Sequence, residues 1–217
     1  MTVLGSGCLA RYFPGLDPVA AARFEQLADL YGFWNERINV ISRKDLPNLC
    51  INHVLHSLSL AKVIPFGEKE TVLDIGTGGG FPGIPLAIMF PGVHFTMIDS
   101  TGKKIRVVDN ITRELGLANV ATAHTRAEDF KGFFHYVVSR AVCPFPELVG
   151  LSAGKLLRSR SPELPYGIYS LKGGDLNEEL SEWENRVKIF EIGNLFEEEF
   201  FLTKKIVFLP SGEICVN

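Results

Sequence analysis

The chain has 217 residues, 46% of them hydrophobic, and a formal net charge of −3 at pH 7. That size and composition exclude global disorder and fit one α/β domain with room for a small helical addition. The charge is uneven: residues 1–70 are balanced, residues 71–174 carry +3 and residues 175–217 carry −6, so the middle of the chain can meet a polyanion despite the acidic total.

Residues 1–66 read as an N-terminal helical cap. Asp17-Pro18 supplies a helix N-cap and a proline at the first helical position. Phe24, Leu27, Leu30, Tyr31 and Trp34 then recur at helical spacing, predicting a helix to about Ile38. A second helix is expected from about Leu49 to Val63, with Leu55, Leu58 and Ala61 inward. His53 and His56 lie three apart on it, a spacing that could hold a metal with a third ligand. The sequence offers none nearby, so no metal site is expected.

Residues 67–217 read as the core. Strands are expected at Val72–Ile75, Val93–Ile98, Asn119–Ala123, His135–Ser139 and Tyr166–Leu171. Helices are expected at Ile84–Phe90, Thr101–Leu115, Phe145–Ser152 and Asp175–Asn185. Two last strands, Val187–Ile192 and Phe200–Leu209, would form an antiparallel edge hairpin. Lys155–Ser161 reads as a surface loop. This alternation predicts an α/β fold with a mostly parallel, doubly wound sheet. No apolar run approaches the roughly 18 residues of a membrane span. Met1–Ala10 does not read as a secretory signal. Cys8, Cys50, Cys143 and Cys215 are scattered without a CxxC pair, a pattern read as free thiols in a reducing cytoplasm.

The stretch from Thr71 to Gly83 concentrates the chemistry. A buried strand breaks into five glycines among eight residues, Gly76 to Gly83, and a helix follows. Such a turn brings backbone close to a ligand and is expected to point free N–H groups at it. A dinucleotide fingerprint fits poorly, because counting from the first glycine places Phe81 where the third is required. The better description is Asp74-x-Gly76-x-Gly78-x-Gly80. A carboxylate there repels a pyrophosphate and attracts an ammonium, and the pattern resembles motif I of the Rossmann-like methyltransferases that use S-adenosylmethionine. Asp99 ends the second strand 23 positions after Gly76, near the offset at which an acid accepts from ribose hydroxyls. Ala127 and Glu128 follow the third strand, where an adenine edge is expected. Arg140 follows the fourth, closest to the transferred group, and can bind a cofactor carboxylate or a phosphate.

Taken together, Asp74–Pro85, Asp99-Ser-x-Gly-Lys-Lys104, Arg126-Ala-Glu128, Ser139-Arg-Ala141 and Leu171-Lys-Gly173 resemble the bacterial 16S rRNA guanine-N7 methyltransferases of the RsmG (GidB) type. Trp34-Asn35, Asn39 and His53 fit that pattern too, and the likeness spans about residues 20–209. It implies S-adenosylmethionine as cofactor, 16S rRNA or a small-subunit particle as partner, and cofactor contacts from Gly76, Phe81, Ala127, Glu128 and Arg140. His56 and His135 depart from it, standing where such sequences often carry aspartate, which bears on substrate binding. Guanine N7 has a lone pair and no proton, so the implied transfer needs positioning but no general base. Phe81, Phe145 and Trp34 are candidate stacking aromatics. Arg37, Arg43, Lys44, Lys103, Lys104, Arg158, Arg160, Lys204 and Lys205 are candidate phosphate contacts. Alternatives are a methyltransferase with another substrate, a nicotinamide oxidoreductase, which Asp74 and Phe81 disfavour, and a non-catalytic RNA-binding assembly factor.

Overall fold

A computed structural model describes residues 7–159 and 166–214. Arg160, Ser161 and Cys215 lie outside them. Helix α1 (Pro18–Asn35) starts where Asp17 accepts hydrogen bonds from the amides of Val19 and Ala20 at 2.8 and 3.3 Å. Phe24, Leu27, Leu30 and Tyr31 are buried along it. It ends three residues early. The Asn35 side-chain oxygen accepts from the amides of Val40 and Ile41, both at 2.9 Å, and so draws the chain out of the helix.

The second helical segment changes pitch along its length. A π-helix spans Leu49–Leu55, an α turn (α2) His56–Leu58 and a 3-10 turn Leu60–Lys62. Wide π turns recur at functional sites, and this one carries Asn52 and His53. Cys8 and Cys50 form a disulfide, which corrects the expectation of free thiols at these positions. Leu9 is buried in the same cluster as Cys50, and that burial brings the two sulfurs together across 42 residues. Cys143 is free.

The sheet comprises β1 (Thr71–Ile75), β2 (His94–Asp99), β3 (Val120–His124), β4 (Tyr136–Arg140), β5 (Gly167–Gly173), β6 (Lys188–Glu191) and β7 (Lys204–Pro210). Its order is β3-β2-β1-β4-β5-β7-β6. The first five strands pair in parallel, and β7 runs antiparallel between β5 and β6. Helices α3 (Gly83–Met89), α4 (Gly102–Glu114) and α5 (Phe145–Ser152) connect the strands, with α6 (Asn177–Leu180) before β6. One apolar cluster joins α1, the π-helix, α3 and α4 to the sheet, and a second packs α5 and α6 on it. The cap helices thus share a core with the sheet. No helix among the described residues is long and apolar enough to cross a membrane.

Two elements differ from the sequence expectation. The helix expected over Asp175–Asn185 is only the four residues of α6; Glu178 and Glu182, four apart, would repel along a longer one. Phe200–Thr203 belongs to a 3-10 turn, Glu199–Thr203, and β7 begins at Lys204. The turn buries Phe201, which packs on Phe196 with ring centroids 5.0 Å apart.

The order reverses between β1 and β4, the switch point at which open α/β sheets receive ligands beyond their carboxyl ends. Gly76 follows β1 and Arg140 ends β4.

Candidate active site

Strand β1 stops at Ile75 because Gly76 and Gly78 take φ of +65° and +59°, a conformation that favours glycine. At Gly76 the requirement is double, since a Cβ would lie 2.4 Å from Val142 Cγ2. The loop spends its amides internally. Thr77 N–H donates to Ile98 O at 3.0 Å, Gly80 and Phe81 N–H donate to Thr77 O at 2.9 and 3.0 Å, and Gly78 N–H donates to Asp99 Oδ2 at 3.0 Å. The expected row of free donors is therefore largely used up. A pyrophosphate would find few partners here.

Asp74 lies beneath this loop. Its Oδ2 accepts from Thr77 Oγ1 at 2.7 Å and from Gly83 N–H at 2.9 Å, while Oδ1 is buried without a partner. Burial pushes the carboxyl up to about 7, against the Thr77 and Gly83 donors and the charge of Arg140. Asp74 is wholly buried and braces the turn from below instead of lining the cleft. The cause is a strand covered on both faces.

Above the loop lies a cleft of about 540 Å³ lined by Gly76, Gly78, Phe81, Asp99, Arg140 and the far-wall residues Val40, His53, His56, Phe200 and Lys204. A smaller recess of about 190 Å³ adjoins it through Gly76, Asp99, Ser100 and Val142, and contains Ala127 and Glu128. The structure thus gathers Gly76, Gly78, Phe81, Asp99, Ala127, Glu128 and Arg140 around one two-lobed opening. Asp99 sits where the lobes meet. Its Oδ1 accepts from Thr101 N–H at 2.7 Å and its Oδ2 from Gly78 N–H, and each oxygen keeps a second lone pair.

Arg140 is fixed from the cap. Its Nη1 donates to Asn52 O at 3.1 Å and its Nη2 to His53 Nδ1 at 2.9 Å, and the guanidinium stacks 4.8 Å from the Phe81 ring centroid. Nε2 of His53 donates to Asp45 Oδ2 at 2.5 Å. Burial, then the charge of Arg140, lowers the His53 pKa to about 4 against the pull of Asp45, so the ring is neutral. Burial lowers Arg140 to about 10, which leaves it charged, with three donors uncommitted. Phe81 is also stacked on Tyr31 at 4.9 Å, whose hydroxyl donates to Gly79 O at 2.6 Å. The next residue, Ala141, has φ of +53°, strain of a kind that collects at functional sites.

Several of these residues escaped sequence reasoning. Asp45, Asn52, Tyr31 and Phe200 sit on segments remote in sequence from the glycine turn, and only the fold brings them to it. Phe145, expected as a stacking aromatic, is wholly buried beneath α5 and faces Trp183. Trp34 instead lines a second cleft of about 580 Å³ with Arg37, Ile38, Asn39, Lys103, Arg106 and Asn110.

Two solved structures that share this architecture are methyltransferases. A precorrin-6y C5,15-methyltransferase from Geobacter metallireducens aligns with TM-score 0.54 at 11% identity, covering 80% of this chain and 92% of that one. An S-adenosylmethionine-dependent methyltransferase from Aquifex aeolicus aligns with TM-score 0.51 at 17% identity, covering 70% and 88%. At such identities they establish the Rossmann-like methyltransferase fold alone. Sequence relatives are much nearer. The ribosomal RNA small subunit methyltransferase G of Christiangramia forsetii is 48% identical over 202 residues, 93% of this chain and 95% of that protein. The protein of the same name from Porphyromonas gingivalis is 48% identical over 208 residues, 95% and 94%. The profile of the GidB family, rRNA small subunit methyltransferase G, matches residues 20–205. The chain belongs to the GidB family of small-subunit rRNA methyltransferases.

Proposed function

We propose that this chain transfers a methyl group from S-adenosylmethionine to N7 of a guanine in 16S rRNA. The observation that carries the reading is the two-lobed cleft at the β1/β4 switch point, with Asp99 at its junction and Arg140 in its wall. The residues present fit that cofactor. A loop whose amides are spent suits a ligand without phosphates. Bound there, the cofactor supplies an electrophilic methyl.

This chain's residues then bind, orient and shield. Ala127 and Glu128 line the recess suited to adenine. Asp99 can accept from the two sugar hydroxyls through its remaining lone pairs, which also disfavours a 2′-phosphate. Arg140 would hold the carboxylate of the amino-acid part with its free donors, at an angle set by His53 and Asn52. Phe81, in contact with Tyr31 and Arg140, would form part of the wall beside the reacting carbon. No proton is removed from N7, so the contribution of the protein is alignment of the lone pair with the bond being broken.

An RNA substrate is supported by the family and by the Arg37, Lys103 and Arg106 cleft beside Trp34, where cations and an aromatic ring are interleaved. Of the candidate phosphate contacts, Arg43, Lys44, Lys103 and Arg158 are exposed, whereas Lys104, Lys204 and Lys205 are half-buried. The decisive experiment is methyl transfer from labelled cofactor to unmodified 16S RNA and to small-subunit particles, followed by mapping of N7-methylguanosine. Cofactor binding without any RNA product would overturn the reading.

A further inference from the structure

Asp45 precedes a 3-10 turn, Leu46–Asn48, in the position from which an aspartate ordinarily caps a helix. Its side chain makes no capping bond there. Both oxygens reach forward to the π-helix instead: Oδ1 accepts from Asn52 Nδ2 and Oδ2 from His53 Nε2, each at 2.5 Å. Those two residues are the ones that hold Arg140, Asn52 through its backbone carbonyl and His53 through Nδ1. One carboxylate therefore anchors both partners of the guanidinium. Asp45 itself lines neither lobe of the cleft.

The direction of each bond follows from the donors available. Arginine has no acceptor, so His53 Nδ1 presents its lone pair to Arg140 Nη2. The single proton of the ring is then on Nε2, and Asp45 accepts its hydrogen bond. An imidazolium would set N–H against N–H at Arg140. A carboxylate on one ring nitrogen fixes the tautomer and orientation of the imidazole and makes the other nitrogen a better acceptor. At Asn52 the same carboxylate anchors the side chain of the residue whose carbonyl takes Nη1. Groups that must meet a ligand at a set angle need their own positions locked by such a further layer of hydrogen bonds. Arg140 lines the main cleft, so the direction of its uncommitted donors is set from a loop outside that cleft.

We propose that Asp45 is a positioning residue for the cofactor: by anchoring His53 and Asn52 it orients Arg140 toward the carboxylate of the amino-acid arm. This role rests on the S-adenosylmethionine reading above and adds to it a residue that touches no ligand. None of residues 39–45 lines the recess that contains Ala127 and Glu128. The hold on the amino-acid arm is therefore separable from the hold on the nucleoside. Cutting the tie at Asp45 loosens the first and leaves the second as it was. A tie that merely joined loop to helix would, when cut, weaken every ligand of the cleft alike.

The test measures Kd by calorimetry on the full chain for two probes, S-adenosylhomocysteine and 5′-methylthioadenosine. Both are uncharged at sulfur, and the second keeps the adenine and sugar but lacks the amino-acid arm. Arg140→Ala should weaken the first probe by about 30-fold or more and the second by about twofold or less. Asp45→Ala should weaken the first by about tenfold and the second by at most about twofold. Asp45→Asn keeps the shape and one acceptor, so its loss on the first probe should fall between Asp45→Ala and the wild type. The double variant Asp45→Ala, Arg140→Ala should bind as Arg140→Ala does to within about threefold, because one residue acts through the other. Equal loss on both probes, no loss on S-adenosylhomocysteine, additive losses in the double variant, or loss of the folded state in both Asp45 variants overturns the inference. A wild type that binds neither probe, or an Arg140→Ala variant that binds both as the wild type does, overturns the underlying reading instead.

Discussion

Asp99 accepts two backbone amides and closes the junction between the lobes, so its replacement should act on both. Asp99→Ala frees Gly78 N–H and Thr101 N–H and deletes the acceptor for the sugar. Calorimetry should show cofactor affinity falling at least about 30-fold, with about 1–2 kcal/mol lost from the fold for the orphaned amides. Binding within a factor of three would remove Asp99 from the site. Asp74, His53 and His56 make a separate prediction in pH. The buried Asp74 has its pKa raised from its ordinary value to about 7. In the window from about 4 to 7 the native state binds a proton that the unfolded chain lacks, and stability from this group falls as pH rises. His53, lowered to about 4, and His56, lowered well below its ordinary value, have the opposite sign. Below about 6.5 the unfolded chain takes up protons there that the native state refuses, so their stability is lost on acidification. Two such groups outweigh one. Asp74→Asn removes the opposing term, so its ΔG of unfolding should drop more steeply than the wild type between pH 6.5 and 4. The extra slope should approach one proton, about 1.4 kcal/mol per pH unit. Parallel curves would show that Asp74 is ionised in the folded protein.

At the scale of elements, α1 reaches the glycine turn through one side chain. The Tyr31 hydroxyl holds the Gly79 carbonyl and its ring backs Phe81. Tyr31→Phe keeps the stacking and orphans the carbonyl, so it should cost about 1–2 kcal/mol and weaken cofactor binding several-fold. Unchanged affinity would mean that the turn holds its shape without the cap. The Cys8–Cys50 disulfide ties the N-terminal turn to the π-helix, two residues from the Asn52 carbonyl that takes Arg140. Cys8→Ser should lower stability by about 2–4 kcal/mol in non-reducing buffer and much less in reducing buffer; equal loss in both would argue that the sulfurs are not joined. What could be read in the sequence follows the same divide. Strands β1 to β5 and the helices between them carry the strong period-2 and buried-run patterns, and their positions match to within a residue or two. The π-helix could not be foreseen, because its i→i+5 bonding leaves the apolar spacing of Leu55 and Leu58 indistinguishable from an ordinary helix. The α6 segment failed where Glu178 and Glu182 outweighed an N-cap signal at Asp175. On one side of the cleft, the glycines, Asp99, Ala127, Glu128 and Arg140 are adjacent to strand ends, so their convergence was legible from order alone. The far wall was not, since Asp45, Asn52 and Phe200 owe their places to tertiary packing.

At the scale of the molecule, the excess of acid falls in residues 175–217, none of which lines the basic Arg37, Lys103 and Arg106 cleft, so total charge misrepresents what a polyanion meets. RNA methylation should therefore weaken steeply with salt while cofactor affinity barely changes. A double substitution Arg37→Glu, Lys103→Glu should flatten the plot of log KM against log salt by about 1–2 units, since each neutralised phosphate contributes a slope near 0.7 to 0.9. An unaltered slope would move the RNA elsewhere. The strand order has a further consequence. Because β7 inserts between β5 and β6, the link that carries Phe200 is swung back over the opening, opposite a helix from the first third of the chain. On the function proposed above, the half that would grip the nucleoside is thus encoded in the middle of the gene, and the half that would meet the target in its flanks. Evolution could retune which base is accepted by editing those flanks, while the methyl-donor machinery is inherited untouched.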